Sequence, residues 1–180
     1  MSPDLEVPDF VPATRIWRVF AVGYLPNSNS MGSTLGSTLL IGRRGHVWRT
    51  DTDVAVCKKV QGPNHSPPVL DCSCGIYGFF RAEEAWQQAA GSTEPWLVLA
   101  HCLFWGTAIM GPKGIRVQNA QIEAAFLVDI RRLQRTDDPG QSLPYTAASA
   151  STRLANLAVT YPNILWRSVS THEELTTLLS

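Results

Sequence analysis

The stretch "PWLVLAHCLFWGTAIMGPKGIRVQNAQIEAAFLVDIRRLQR", residues 95–135, decides the fold. Its first part, up to Gly111, is a long apolar run interrupted at Gly106 and Gly111. That pattern suits two strands, the second edged by the turn "GPKG", and strands this apolar belong at the centre of a sheet. The second part reads two ways. Ile122, Phe126 and Ile130 fall on one helical face, while "IRVQNAQIEAAFLV" also extends as a strand, so periodicity leaves residues 115–135 open between helix and strand.

Upstream, the chain reads as mostly β. "RIWRVFAV" from Arg15 alternates and is rich in aromatic and β-branched residues, as a half-buried strand is. "GYLPNSNSMGSTLGS" is polar and long enough for a loop. "TLLIGRRGHVWRT" predicts two short strands around Gly42 to Gly45, and "DVAVCKKV" predicts another. Residues 1–14, with Pro3, Pro8 and Pro12, read as an extended lead-in.

Between the two halves, "FRAEEAWQQAAG" predicts a short helix from Arg81 to Ala90. Downstream, "DDPGQSLPYTAASAS" is a turn-rich linker. After it come a helix in "STRLANLAVTY", a strand in "NILWRSV", and a last helix whose capping box is expected at Ser170 and Glu173. The expected fold class is α+β: a twisted, largely antiparallel sheet or partly open β-barrel over residues 15–136, with a C-terminal helix-strand-helix element at 137–180 packed on it.

The 180 residues are 44% hydrophobic and 17% charged, with 15 basic and 15 acidic side chains and a formal net charge of zero. That composition fits a globular chain and removes the strongest argument for nonspecific nucleic-acid binding, which needs a cationic excess. Arg131, Arg132 and Arg135 form the best local basic face, the one an alternative reading as a nucleic-acid-associated regulator would use, although such a run is more often a solvated helix face. No segment approaches the roughly 18 to 20 apolar residues that span a bilayer. The acidic, proline-interrupted start is unlike a signal peptide, so a cytoplasmic protein without a membrane role is expected. Thiols stay reduced there, and Cys57, Cys72, Cys74 and Cys102 then read as metal ligands, reactive thiols or small core residues.

Cys57, His65, Cys72 and Cys74 stand at the spacing C-x7-H-x6-C-x-C. Thiolate and imidazole are the ligands of a tetrahedral zinc site, and thiolates also hold iron-sulfur clusters, the alternative cofactor. Pro63, Pro67 and Pro68 stiffen the intervening loop, which lowers the entropy lost when ligands gather. C-x-C departs from the two-residue spacing of the zinc knuckle, and the competing explanation places Cys57 and Cys74 in buried strands with His65 bonded to backbone. A thiol-dependent enzyme would use Cys72 or Cys74 as nucleophile, His65 as base and Asp71 as orienter, although an aspartate beside the cysteine opposes its ionisation. His101 and Cys102, adjacent on a strand, face opposite sides and cannot share one ion. Phosphate-binding, dinucleotide, zincin and serine-hydrolase motifs are absent.

The segments "VWRTDTDVAVC", "HSPPVLDCSCGIYGF", "LFWGTAIMGPKGIRVQNAQIEAAFL" and "TYPNILWRSVSTHEEL" resemble a group of uncharacterised actinobacterial and actinophage proteins. That group carries alanine-x-cysteine, then a histidine and proline, then C-x-C-G-I-Y-A, then a tryptophan-glycine strand. The likeness covers roughly residues 17–127. It departs at Gly78, where the group has alanine, and at Val117 and Gln118, where the group has alanine and an acidic residue. The resemblance implies that Cys57, His65, Cys72 and Cys74 belong to one motif, and it implies no activity. Taken together, these features lead to a small intracellular binding or regulatory protein, phage-encoded on the resemblance, that is non-catalytic and has a structural metal site and a protein partner.

Overall fold

Trp96–Met110 (β7) and Gly114–Asp129 (β8) form one long antiparallel hairpin, described in a computed structural model. The residues described are 5–6, 11–25, 37–42, 45–57, 65–89, 92, 94, 96–133 and 147–180. Gly111 N–H donates to the Gly114 carbonyl at 2.8 Å and closes the turn that "GPKG" predicts. Residues 114–129 are thus strand and Ile130–Leu133 coils as the single turn α2, while 134 and 135 lie outside the described residues.

The apolar run before that turn is one strand, not the expected two. Gly106 takes φ +90°, and the register shifts between Trp105 and Ala108, so the glycine absorbs an irregularity inside β7. A side chain there would crowd Gln118 and Asn119 on β8 as well as strain the backbone.

The other strands are Leu5–Glu6 (β1), Val11–Leu25 (β2), Ser37–Ile41 (β3), Val47–Trp48 (β4), Thr52–Val54 (β5), Ile76–Phe79 (β6) and Leu165–Val169 (β9). β2 runs antiparallel along β7, pairing Arg15 with Leu103 and Ala21 with Leu97. The sheet therefore begins inside the lead-in: β2 starts at Val11, and β1 pairs with Ile109 and Met110. Pro12 sits where the β2–β7 register is irregular, the kind of place a residue without an N–H tolerates.

The far edge of β8 carries three partners in succession: β6 at residues 114–117, β5 at 119–121 and β9, in parallel, at 124–128. β6 also bridges back to β2 at Phe79 and Trp17. β2, β7, β8 and β6 consequently close into a ring of strands rather than a regular barrel.

Inside lie Ile16, Phe20, Cys102, Phe104, Val117 and Ile122, all at most 1% exposed. Helix Ala147–Thr160 (α3) closes one side, and Tyr161, just after it, pins the arrangement. Its hydroxyl donates to the Trp48 carbonyl at 2.6 Å and accepts from Leu40 N–H at 2.9 Å.

Helices Ala82–Gln87 (α1) and His172–Leu179 (α4) cover the outer face near the open end of the hairpin, packing around Leu99 and Val128. Burial from both sides is why "WLVLA" shows no alternation there. The α4 capping box lies one residue later than expected, at Thr171 and Glu174: Glu174 N–H donates to Thr171 Oγ1 at 3.1 Å and the Glu174 carboxylate accepts from Thr171 N–H at 3.1 Å.

Candidate metal centre

Two backbone segments converge beside the outer edge of β8. The first leaves β5, bonds once more to β8 through Ala55 N–H and the Gln118 carbonyl (2.7 Å), and delivers Cys57. The second, residues 65–75, contains no helix or strand. It carries His65, turns through Val69–Cys72, where Cys72 N–H donates to the Val69 carbonyl at 3.2 Å, and enters β6 after Cys74. Gly75 turns the chain at φ +114°; a Cβ there would lie 3.1 Å from Pro68 and 3.4 Å from Arg116. The C-x-C pair therefore sits between the Val69–Cys72 turn and the Gly75 bend rather than on a straight strand.

The four ligand atoms of Cys57, His65, Cys72 and Cys74 lie within 4.8 Å of one another. Cys57 Sγ is 3.7 Å from Cys72 Sγ, and His65 Nε2 is 3.2 Å from Cys74 Sγ. Sulfurs bound to one tetrahedral zinc at about 2.3 Å stand about 3.8 Å apart, so the first separation already equals the edge of such a site. The widest separation exceeds that edge by about 1 Å. These residues form a possible metal-binding group; all four cysteines of the chain are free thiols.

Proton affinity within the group is split. Burial works to raise the Cys72 thiol, but hydrogen bonds from the Cys74 backbone and from the side chains of Cys74, Cys57 and His65 outweigh it and bring Cys72 down to about 7. Burial, reinforced by the neighbouring sulfurs, pushes Cys74 up. Three sulfurs this close cannot all be anionic unless a cation sits among them, which is the electrostatic condition a metal ion meets.

Arg116 on β8 organises the loop. It is 8% exposed, and Nη1 donates to the carbonyls of Val69 (3.4 Å), Cys72 and Cys74 (3.3 Å), with the guanidinium 5.6 Å from the Tyr77 ring centroid. One buried cation thereby holds the backbone of two candidate ligands. Arg116 is absent from the candidate residues drawn from sequence, although a lone charge in the apolar "GIRVQ" is a signal, because a strand closing a core buries such a residue only where it has acceptors.

The remaining candidates separate. Cys102 is fully buried, its thiol pushed up to about 12 by burial, and His101 lies on the other face against Trp17 at 4.8 Å between ring centroids. Asp71 is exposed and makes no hydrogen bond to His65 among the described residues, so the expected orienter of a thiol triad is not engaged. Arg131 and Arg132 belong to the α2 turn, and Arg135 lies outside the described residues. Among the described residues no helix is long and apolar enough to cross a membrane. Comparison with protein-family models, curated proteins and solved structures gives no match.

Proposed function

We propose that this chain is a small non-catalytic binding or regulatory protein whose Cys/His loop is stapled by a structural zinc ion. The observation that carries the reading is the convergence of four ligand atoms from Cys57, His65, Cys72 and Cys74 within 4.8 Å. Three thiolates and one imidazole fill a tetrahedral zinc shell and leave no position for substrate, so the ion acts on folding rather than on chemistry. A single ion suits this compact set better than an iron-sulfur cluster, whose cysteine ligands spread over several irons. Charge supports the same choice. Zinc with three thiolates carries one net negative charge, and the buried Arg116 guanidinium beside the loop supplies its opposite.

A cytoplasmic setting agrees with four reduced thiols. A protein partner is supported by the exposed Val54, Val56, Leu70 and Tyr77 on the segments around the site. The actinobacterial and actinophage resemblance belongs to this proposal as the source of the shared Cys/His motif.

The deciding measurement is metal content with an absorbance spectrum of protein purified without added metal. About one colourless equivalent of zinc, lost together with thermal stability in Cys74→Ser, is expected. Metal-free protein of full stability sinks the reading, and a coloured chromophore replaces zinc by an iron-sulfur centre. One contact favours the thiol-enzyme alternative, His65 Nε2 at 3.2 Å from Cys74 Sγ. Rapid labelling of Cys72 or Cys74 by a thiolate probe at neutral pH, in protein that holds no metal, would select it.

A further inference from the structure

A cleft of about 750 Å³ adjoins the Cys/His group and is walled by Arg18, Ile41, His46, Val56, Phe79 and Leu97. That volume lies in the range of small-molecule sites, and the wall combines apolar side chains with few polar ones. Arg18 is the unusual member. It is 9% exposed, yet among the described residues it forms no ion pair. Its Nη1 donates to the Tyr77 carbonyl, its guanidinium carbon stands 5.1 Å and 5.6 Å from the ring centroids of Phe20 and Trp48, and Nε has no hydrogen-bond partner.

The carboxylate that acts electrostatically on Arg18, Asp53, is already engaged. Its Oδ2 meets His46 Nε2 and its Oδ1 accepts from Val54 N–H at 3.0 Å. Cys102, the other group acting on Arg18, stays protonated because burial pushes its thiol up to about 12. A guanidinium removed from water without an anionic partner carries the desolvation cost of an uncompensated buried ion, so chains keep one where something offsets it. A structural arginine would be bonded like Arg116, which holds three carbonyls.

We propose that the cleft binds a small organic anion, its apolar body against Ile41, Phe79 and Leu97 and its anionic head on Arg18. Carboxylate and phosphate heads share the chemistry that a guanidinium recognises, two oxygens facing a planar fork. The site is independent of the metal reading: the Cys/His group forms part of the cleft wall, but the ligand is held by Arg18 and takes no coordination position.

The test is calorimetric titration of the full chain, with metal content measured on every sample, using hexanoate, phenyl phosphate and the neutral control hexanol. Binding of either anion at millimolar concentrations or below, at least tenfold weaker for hexanol and lost by at least tenfold in Arg18→Met, is the expected result. The tighter anion identifies the head group. Equal binding of hexanol and hexanoate, no binding of either anion, or unchanged binding in Arg18→Met overturns the proposal. Should Arg18→Met fail to fold, the isosteric Gln88→Glu on the exposed cleft wall decides: a several-fold loss for both anions supports the site and an unchanged affinity overturns it. Anion binding by metal-free protein leaves this proposal standing and removes only the zinc reading.

Discussion

Residues 96–129 and residues 65–75 meet along β8 and are held in different ways. The hairpin is paired along its length from Trp96 and Asp129 to Met110 and Ile115, with register shifts at His101/Cys102 and Trp105/Ala108, and it buries Phe104, Cys102 and Ile122 from water. The loop has the internal backbone hydrogen bond from Cys72 to Val69, and it leans on Arg116 and on its own ligand atoms. Apolar burial is additive along a chain and needs no partner beyond neighbouring side chains. A polar loop has to be fixed by something that pairs with its carbonyls and sulfurs. Stability should therefore divide, with the hairpin indifferent to metal and the loop dependent on it.

The sharpest break of that division is Phe104→Ala. Emptying a fully buried ring site should cost about 3–5 kcal/mol in chemical denaturation, with or without a chelator. An effect that vanishes in chelated protein would show that the hairpin is not autonomous. Removing metal with a chelator comes next. Zinc held about a hundredfold above its dissociation constant contributes about 3 kcal/mol, and its loss should raise hydrogen exchange at the amides of 65–75 while those of β7 and β8 stay protected. Uniform deprotection of both regions would erase the distinction.

Arg116→Met tests what joins the two regions. Leaving the Val69, Cys72 and Cys74 carbonyls without this donor should cost about 1–3 kcal/mol and weaken metal retention in a chelator competition, with Arg116→Lys intermediate because it keeps the charge and loses the fork. Stability lost without any change in metal retention would make Arg116 a core residue only. The smallest expected effect is Thr171→Ala, about 1 kcal/mol from the α4 capping box. It should register equally in loaded and chelated protein, since α4 packs on the hairpin side of the molecule.

Much of this contrast is legible in residue order. Alternation in "RIWRVFAV", the turn residues of "GPKG", the spacing of "HEELTTLL" and the α+β class follow from local periodicity and turn chemistry, which act over a few residues. The Cys/His set is legible because its ligand types are rare and close in sequence. Three features are not. The choice of strand for 115–129 depends on β6, β5 and β9 lying along one edge, contacts that periodicity does not encode. Gly106 reads as a strand end, since nothing local distinguishes a terminating glycine from one that absorbs a shift. Ser170 and Glu173 satisfy the capping spacing as well as Thr171 and Glu174 do, and only the backbone entering α4 separates them.

By itself, then, the amino-acid order determined that this chain has an apolar, strand-forming run before the "GPKG" turn, a largely β first half, a C-terminal helix-strand-helix and a local group of three thiols and an imidazole. Tertiary structure alone decided that the ring closes through β6, that Cys57 comes within 3.7 Å of Cys72, and that Arg116 and Arg18 are buried. The physical reason is range. Propensity and pattern act between near neighbours, whereas the acceptors of Arg116 lie more than 40 residues away along the chain, and the unpaired charge of Arg18 exists only once the sheet has folded around it.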